Sequence, residues 1–198
     1  MEWKAEIPAG FLEGRNAHAI VAAYFEFSHL KQLYRQGWLR RGIPKERCES
    51  VAEHTFGVAV LAVFLADNYF PELDTCQVAR LALVHDFGEI YAGDIIPVDG
   101  ISAQEKQRME YEAVTQVFAR FPKGDEYLEL WEEYERGISP EARLVKQVDR
   151  LEMALQASVY EHQGAGNLQE FFESAAQAIS DPELREIMAA IELVRIIR

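Results

Sequence analysis

The chain has 198 residues, a hydrophobic content of 49%, a charged content of 27% and a formal net charge of −13 at pH 7. This length and composition predict one globular domain over residues 1–198, rather than a disordered or fibrous chain. The negative charge argues against binding of long nucleic acid, because phosphate contacts require a basic surface. We therefore expect any anionic ligand to be small and to bind at a local cationic site.

The N-terminal sequence MEWKAEIPAGFLEGRNAH has no basic start followed by an apolar run. No stretch approaches the roughly 20 consecutive apolar residues needed to cross a bilayer. The two cysteines, Cys48 and Cys76, have neither metal-type spacing nor the pattern of a disulfide framework. These features predict a soluble, cytoplasmic protein without a membrane partner.

The first half of the chain alternates between helical patterns and loops. Apolar residues at helical spacing predict a first helix over 16–36, and the Gly- and Pro-containing segment 37–49 predicts a loop. Ser50 and Glu53 form an S-x-x-E capping box, which predicts a second, strongly apolar helix over 50–70. A third helix over 74–90 follows, and the turn-rich segment YAGDIIPVDG ends it.

Helical spacing also dominates the second half, where Ser139 and Pro140 read as the cap and first residue of one helix. The further predicted helices cover 102–121, 125–136, 140–162, 168–179 and 182–197. No β-hairpin signal or internal repeat occurs. The sequence therefore predicts an all-α fold with seven or eight helices.

Four polar side chains lie on apolar faces of the predicted helices. They are His54, His85, Asp86 and Asp149. Buried carboxylates and imidazoles need partners, and two of each can satisfy one another through a shared cation. A mixed nitrogen and oxygen site suits Mn, Co, Ni, Fe or Zn, whereas Ca or Mg prefers oxygen alone. Taken singly, each residue also has a structural explanation, such as a hydrogen-bonded core histidine, but the set on separate helices favours one divalent metal ion.

The pattern of one His, an adjacent His-Asp and a distant Asp resembles the HD-domain superfamily of metal-dependent phosphohydrolases. The segments SVAEHTFGVAVLA, LALVHDFGEIYAGDIIP and LVKQVDRLEMALQA are similar to its 5'-deoxynucleotidase branch, and the resemblance covers about residues 30–163. It implies an HD-type helical fold, the four metal ligands named above, and hydrolysis of (deoxy)nucleoside 5'-monophosphates by metal-activated water. In that branch a Glu lies three residues after the Asp and a further Asp five residues later, which implies catalytic roles for Glu89 and Asp94.

Basic residues are concentrated ahead of the first predicted metal ligand, where six of the chain's 20 Lys and Arg lie in the segment 31–47. Such a local reversal of charge suits a small phosphate dianion. The related bacterial enzymes carry an Arg directly before a Trp, whereas this chain has Gly37 before Trp38 and Arg40 and Arg41 after it. We predict that Arg40 and Arg41 bind phosphate and that Trp38 stacks on a base, with burial of Trp38 as a loop anchor as the alternative.

Three rival functions are compatible with parts of this pattern. A dinuclear iron oxygenase needs additional His ligands, and no His occurs between His85 and His162. A phosphodiesterase acting on cyclic or oligomeric nucleotides would share the metal ligands and differ in its pocket. A non-catalytic ligand-sensing module could dispense with the ligands, all of which are present here. The family resemblance also implies a homodimer.

Overall fold

The computed structural model describes residues 2–195. In this range the protein is helical, and its only β-type pairings are isolated bridges between Trp3 and Leu33 and between Tyr34 and Ser50. The α-helices are α1 (Ala19–Phe27), α2 (Gln36–Arg40), α3 (Val51–Tyr69), α4 (Thr75–Val84), α5 (Glu89–Ala92), α6 (Ala103–Phe118), α7 (Gly124–Arg136), α8 (Pro140–His162), α9 (Gln169–Ala178) and α10 (Pro182–Val194). The all-α class is confirmed. The predicted end of the last helix, at Ile197, lies outside the described residues.

Helices α3, α4 and α8 pack pairwise against one another and form the centre of the molecule. Val58, Leu81 and Val148, one from each helix, are completely buried at this junction. The capping box of Ser50 and Glu53 forms as predicted, because the Ser50 hydroxyl accepts from the Glu53 N–H and the Ser50 N–H donates to the Glu53 carboxylate. The capping box therefore fixes the start of α3. It also fixes the direction in which His54, in the first turns of this helix, points from the helix axis.

The first predicted helix is wrong in its second half. Helix α1 ends at Phe27, a 3₁₀ helix covers Ser28–Lys31, and Leu33 and Tyr34 then pair with Trp3 and Ser50. A short helix, α2, occupies part of the segment predicted as a loop. Local apolar spacing did not reveal these long-range pairings, which override helix propensity between α1 and α2.

The third predicted helix is interrupted at the residues of interest. Helix α4 ends at Val84, and residues 85–88 form turns in which Phe87 N donates to Val84 O and Glu89 N donates to Asp86 O. Gly88 lies so close to α6 that a Cβ atom there would be 2.8 Å from the Glu110 Cβ. The absence of a side chain at Gly88 allows the turn to pack against α6, and the new helix α5 starts at Glu89.

Helix α3 is long and apolar enough to cross a membrane by length and composition, contrary to the sequence prediction. The core helix of a globular domain satisfies the same criterion, and 44% of the most apolar window is buried inside the protein. The packing of α3 against α4 and α8 agrees with that role.

His29, which follows α1, makes folding stability depend on pH. It is completely buried, and neither ring nitrogen has a hydrogen-bond partner among the described residues. Burial lowers the pKa of His29 to about 4. Because this folded-state value lies below the unfolded value of about 6.5, the unfolded chain takes up a proton first as the pH falls. We expect the contribution of neutral His29 to the free energy of unfolding to be complete above about pH 6.5. This contribution should fall by up to about 3 kcal/mol as the pH drops to about 4.

The variant His29→Phe tests this expectation. A phenyl ring retains the stacking on Trp3, whose ring centroid lies 4.4 Å from that of His29, but it cannot be protonated. Urea unfolding at about pH 7 and about pH 4.5 should show a smaller loss of stability for His29→Phe than for the wild type. A variant at the exposed His18, His18→Asn, measured at the same two pH values, provides the control. Equal losses in wild type and His29→Phe would contradict the assignment.

Candidate metal centre and adjoining polar cluster

The four predicted metal ligands converge at the junction of α3, the turn after α4, and α8. His54 Nε2 lies 3.1 Å from Asp149 Oδ1 and 3.7 Å from Asp86 Oδ2, and His85 Nε2 lies 3.1 Å from Asp86 Oδ2. One ligand atom from each of His54, His85 and Asp149 lies within 4.8 Å of the other two. Residues that are up to 95 positions apart in sequence therefore present donor atoms to one small volume.

Hydrogen bonds orient both imidazoles for metal binding. His54 Nδ1 lies 2.6 Å from Glu152 Oε2, and His85 Nδ1 lies 2.7 Å from the carbonyl oxygen of Ala82. Each Nδ1–H can donate to these oxygens, which leaves the Nε2 lone pair of each ring directed into the cluster. A carboxylate or carbonyl behind a ligand histidine is the usual arrangement around protein-bound metals.

The unsatisfied atoms of the cluster support the same interpretation. His85 Nε2 and Asp86 Oδ2 are buried and, although only 3.1 Å apart, form no hydrogen bond of acceptable geometry with any described residue. Buried polar atoms without partners are rare in folded proteins and require an explanation such as an ion. The donor set of two imidazoles and two carboxylates fits a divalent transition metal or zinc.

Gly57 gives Glu152 access to His54. A Cβ atom at Gly57 would lie 2.5 Å from Glu152 Oε1, so any larger residue on this face of α3 would displace the carboxylate. Glu152 is one helical turn beyond Asp149 on α8. The same two helices thus provide a metal ligand each and the outer carboxylate that orients His54.

Electrostatics in the cluster are dominated by close pairing of opposite charges. Burial lowers the pKa of His54, but hydrogen bonds with Asp149 and Glu152 outweigh it and raise the pKa to about 10. Burial would raise the pKa of Asp86, yet the neighbouring His85 and His54 hold it well below its usual range. Opposite charges in the cluster therefore stabilise one another, and a cation that binds there would compete with protons for the imidazole nitrogens.

A second polar group lies beside the metal ligands and contains Glu89, Asp94 and Arg35. Arg35 Nη1 lies 3.2 Å from Asp94 Oδ1 and 4.0 Å from Glu89 Oε1. Glu89 and Asp94 are each 5% exposed, and Glu89 Oε2 has no partner among the described residues. Burial, together with the negative charges of Asp86 and Asp94, raises the pKa of Glu89 well above its usual value. Glu89 is therefore a buried carboxyl group able to hold a proton next to the metal ligands.

Trp38 is a buried loop anchor, the alternative interpretation given above. It is 2% exposed, its indole N–H donates to Glu49 at 2.7 Å, and its ring packs on Phe171 with centroids 4.1 Å apart. Almost no ring surface remains on which a base could stack. The structure therefore favours the loop-anchor interpretation of Trp38 over base stacking.

Arg40 and Arg41 do not join the polar cluster. Both are exposed, and in the part of the chain described here they pair with Asp99 and Glu170, respectively. The short helix α2 directs them to the surface, whereas Arg35, the residue before α2, turns inward. The arginine that lies beside Glu89 and Asp94 is instead Arg35, which the sequence placed only within a general basic segment.

Lys106 is a further cation that the sequence did not single out. It lies on α6, 3.3 Å from Glu110 Oε1, and donates to the Ile95 carbonyl at 3.4 Å. Burial lowers its pKa, but the charges of Glu110 and Glu89 outweigh burial and raise it. Lys106 therefore contributes positive charge near Glu89 and Asp86.

Comparison with known proteins agrees with this geometry. A family model described as the HD domain matches residues 27–192. The chain belongs to the HD-domain family. It is 40% identical over 192 residues to the 5'-deoxynucleotidase HDDC2 of Bos taurus, covering 95% of this chain and 91% of the relative. It is 38% identical over 195 residues to the protein of the same name from Homo sapiens, covering 96% and 93%.

A solved structure extends the comparison to three dimensions. The PH0347 protein from Pyrococcus horikoshii OT3 superposes with a TM-score of 0.73 at 31% identity, covering 88% of this chain and 99% of that protein. The matched HD-domain region includes all four clustered ligands and Arg35. The predicted HD-type fold is confirmed by the family match and by this structural neighbour.

Proposed function

We propose that this HD-domain protein hydrolyses the 5'-phosphate of 2'-deoxynucleoside monophosphates. The observation that carries the proposal is the juxtaposition of a four-residue candidate metal-binding cluster with a buried carboxyl group, Glu89, and a partly buried guanidinium, Arg35. Hydrolysis of a phosphate monoester needs an activated water, a proton acceptor and a cation for the phosphoryl oxygens. The relatives named 5'-deoxynucleotidase narrow the substrate to nucleotides.

The proposed cofactor is one divalent metal ion, Mn, Co, Ni, Fe or Zn, held by His54, His85, Asp86 and Asp149. When bound, such an ion supplies Lewis acidity, which activates water and offsets charge on the phosphoryl oxygens. The support for this site lies in the orphan atoms His85 Nε2 and Asp86 Oδ2 and in the outer partners of both imidazoles.

The remaining chemistry belongs to residues of this chain. Arg35 binds the phosphate, because its guanidinium can form bidentate contacts with phosphoryl oxygens. Glu89 accepts the proton of the attacking water at Oε2 as the new P–O bond forms. As the P–O5' bond breaks, Glu89 returns this proton to O5', so that the deoxynucleoside and inorganic phosphate leave and Glu89 is again an ionised base. Asp94 holds Arg35 next to Glu89 through Oδ1, and its remaining lone pairs orient the water or assist the leaving oxygen.

The nucleoside portion has a candidate position beside Asp149. A cavity of about 270 Å³ opens there, lined by Tyr134, Lys146 and Arg150 among others. A phosphodiesterase acting on cyclic or oligomeric nucleotides would need a longer binding surface at the same place, and this is the rival activity. We also propose a homodimer, in line with the family resemblance, and a cytoplasmic location; light scattering of the purified protein tests the first.

Turnover by the purified protein tests the proposal directly. Metal-stripped protein should be inactive and should regain activity when one of the metals above is added. Phosphate release should be faster with 2'-deoxynucleoside 5'-monophosphates than with cyclic or dinucleotide substrates. Preference for cyclic or oligomeric nucleotides would support the phosphodiesterase instead, and binding without turnover of any of them would support a sensing module.

Substitution of Arg35 should impair substrate binding more than substitution of the exposed arginines. Arg35→Lys keeps the positive charge that compensates Asp94 and Glu89 but loses the planar fork. We expect kcat/KM for a deoxynucleotide to fall by about 10- to 100-fold, mainly through KM. Arg40→Ala and Arg41→Ala serve as controls and should stay within about twofold of wild type, because each removes only an exposed ion pair. A larger effect in either control than in Arg35→Lys would indicate that the exposed Arg40 or Arg41, rather than Arg35, binds the phosphate.

A further inference from the structure

Gln36, the first residue of α2, is a buried amide with every polar atom engaged. Its Oε1 accepts from the Glu2 N–H at 2.9 Å, and its Nε2 donates to the Glu2 carbonyl at 3.0 Å and to the Tyr34 carbonyl at 2.7 Å. The side chain thus pairs with both backbone groups of Glu2, as a neighbouring strand would. It joins the N-terminal segment to the start of α2.

The backbone of the same residue holds Asp94. The Gln36 N–H donates to Asp94 Oδ2, while the preceding residue, Arg35, pairs with Asp94 Oδ1. Two consecutive residues therefore fix the two oxygens of one buried carboxylate. The position of Asp94 next to Glu89 depends on where this stretch of backbone lies.

The N-terminal segment that receives Gln36 is itself anchored to the body of the protein. Lys4 N donates to the Gln32 carbonyl at 2.6 Å, Lys4 Nζ lies 3.3 Å from the capping residue Glu53, and Trp3 stacks on His29. These contacts join residues 2–4 both to the segment before α2 and to the start of α3, which carries His54. Residues 2–4, called the strap below, are therefore held against the segment before α2 and against the start of α3.

We propose that Gln36 is a positioning residue for the reaction: its side chain, anchored on residues 2–4, fixes the backbone N–H that holds Asp94 in its working orientation. This inference rests on the proposed hydrolase function. It differs from an ordinary packing role because the side chain of Gln36 contacts the strap and its backbone contacts Asp94. Loss of the side-chain contacts should therefore impair the chemical step through Asp94 and leave metal binding intact.

The variant Gln36→Met tests the proposal. Methionine has a similar length but forms none of the three side-chain hydrogen bonds, while the backbone N–H remains. We expect kcat for a deoxynucleotide to fall about 10-fold, with KM and metal content within about twofold of wild type, because small displacements of a catalytic group reduce rate steeply. Lys45→Ala is the matched control: it removes the exposed ion pair with the Glu2 side chain and should leave kcat unchanged.

A double-mutant cycle separates positioning from a merely structural role. In an Asp94→Ala background there is no carboxylate left to position, so adding Gln36→Met should change kcat less than twofold. A structural defect would reduce kcat equally in both backgrounds, and that result would overturn the proposal, as would an unchanged kcat in Gln36→Met alone. If Gln36→Met does not fold, Gln36→Asn, which keeps an amide too short to reach Glu2, takes its place in the same cycle.

The outcomes also distinguish this inference from the proposed function. A wild-type protein that turns over deoxynucleotides but gives additive effects in the cycle retains its function and loses the role assigned to Gln36. A metal-loaded wild-type protein without any phosphatase activity overturns both.

Discussion

Replacing His85 with alanine should remove the metal and nearly all activity. His85 Nε2 is one of the donor atoms of the cluster, and its ring is held by the Ala82 carbonyl on one side and packs against Tyr134 on another. Loss of an outer partner of a metal ligand typically reduces affinity or activity by about 10- to 100-fold, and loss of the ligand itself should exceed this. The variant should also unfold more easily even without metal, by about 3 kcal/mol, because Asp86 loses its nearest cationic partner.

Elemental analysis of protein purified without chelator provides the decisive measurement. Wild type should carry one divalent metal ion per chain and His85→Ala almost none, with chemical denaturation of the metal-free proteins reporting the stability difference. His162→Ala is the control, since this exposed histidine near the end of α8 bonds only to the Ser158 carbonyl among described residues. No metal in the wild type, about two ions per chain, or an unchanged content in His85→Ala would contradict the four-ligand site.

The clustering of the four candidate ligands at partly or fully buried positions was predictable because its signal is local. Each occupies a position whose neighbours at helical spacing are apolar, so burial follows from a few residues of sequence. Burial of His54 and His85 to 1% and 4% exposure agrees with that pattern. The capping box at the start of α3 is equally local, and it too forms as predicted.

Residues that act through long-range contacts were not predictable in the same way. Arg35 meets Asp94 across 59 positions, and Glu152 meets His54 across 98. Apolar periodicity assigned Arg35 to the end of the first helix, whereas pairing with the N-terminal segment ends that helix early. One local signal that could have identified Arg35 is its position three residues before Trp38, since the resemblance already associates an Arg ahead of a Trp with this segment.

The break at residues 85–88 shows a related limit. Continuous helical spacing predicted one helix through Glu89, but the short turn hydrogen bonds and the close contact of Gly88 with α6 redirect the chain. Glu89 still reaches the cluster because α5 starts there with its first residue buried. The predicted neighbourhood of Glu89 is therefore correct even though the predicted helical path to it is wrong.

Glu89→Gln and Asp94→Asn should separate chemistry from metal retention. Burial and neighbouring negative charge raise the pKa of Glu89, and glutamine matches a neutral carboxyl group in shape and hydrogen bonding. The stability of Glu89→Gln should consequently remain close to that of the wild type. Asp94→Asn weakens the contact with Arg35 and should lower the melting temperature by a few degrees.

Both variants should keep their metal and lose on the order of 100-fold or more in kcat with deoxynucleoside 5'-monophosphates, the magnitude of a positioned acid or base. Two matched substitutions serve as controls: Glu110→Gln alters a buried carboxyl group on the facing helix α6, and Asp99→Asn alters an aspartate in the same loop that pairs with Arg40. Each control should retain kcat within about threefold of wild type, since neither carboxylate contacts Arg35 or the metal ligands among the described residues. Metal loss in Glu89→Gln or Asp94→Asn would move that residue into the ligand set. Full turnover in both would remove the hydrolytic mechanism and favour a ligand-sensing role for the same cluster.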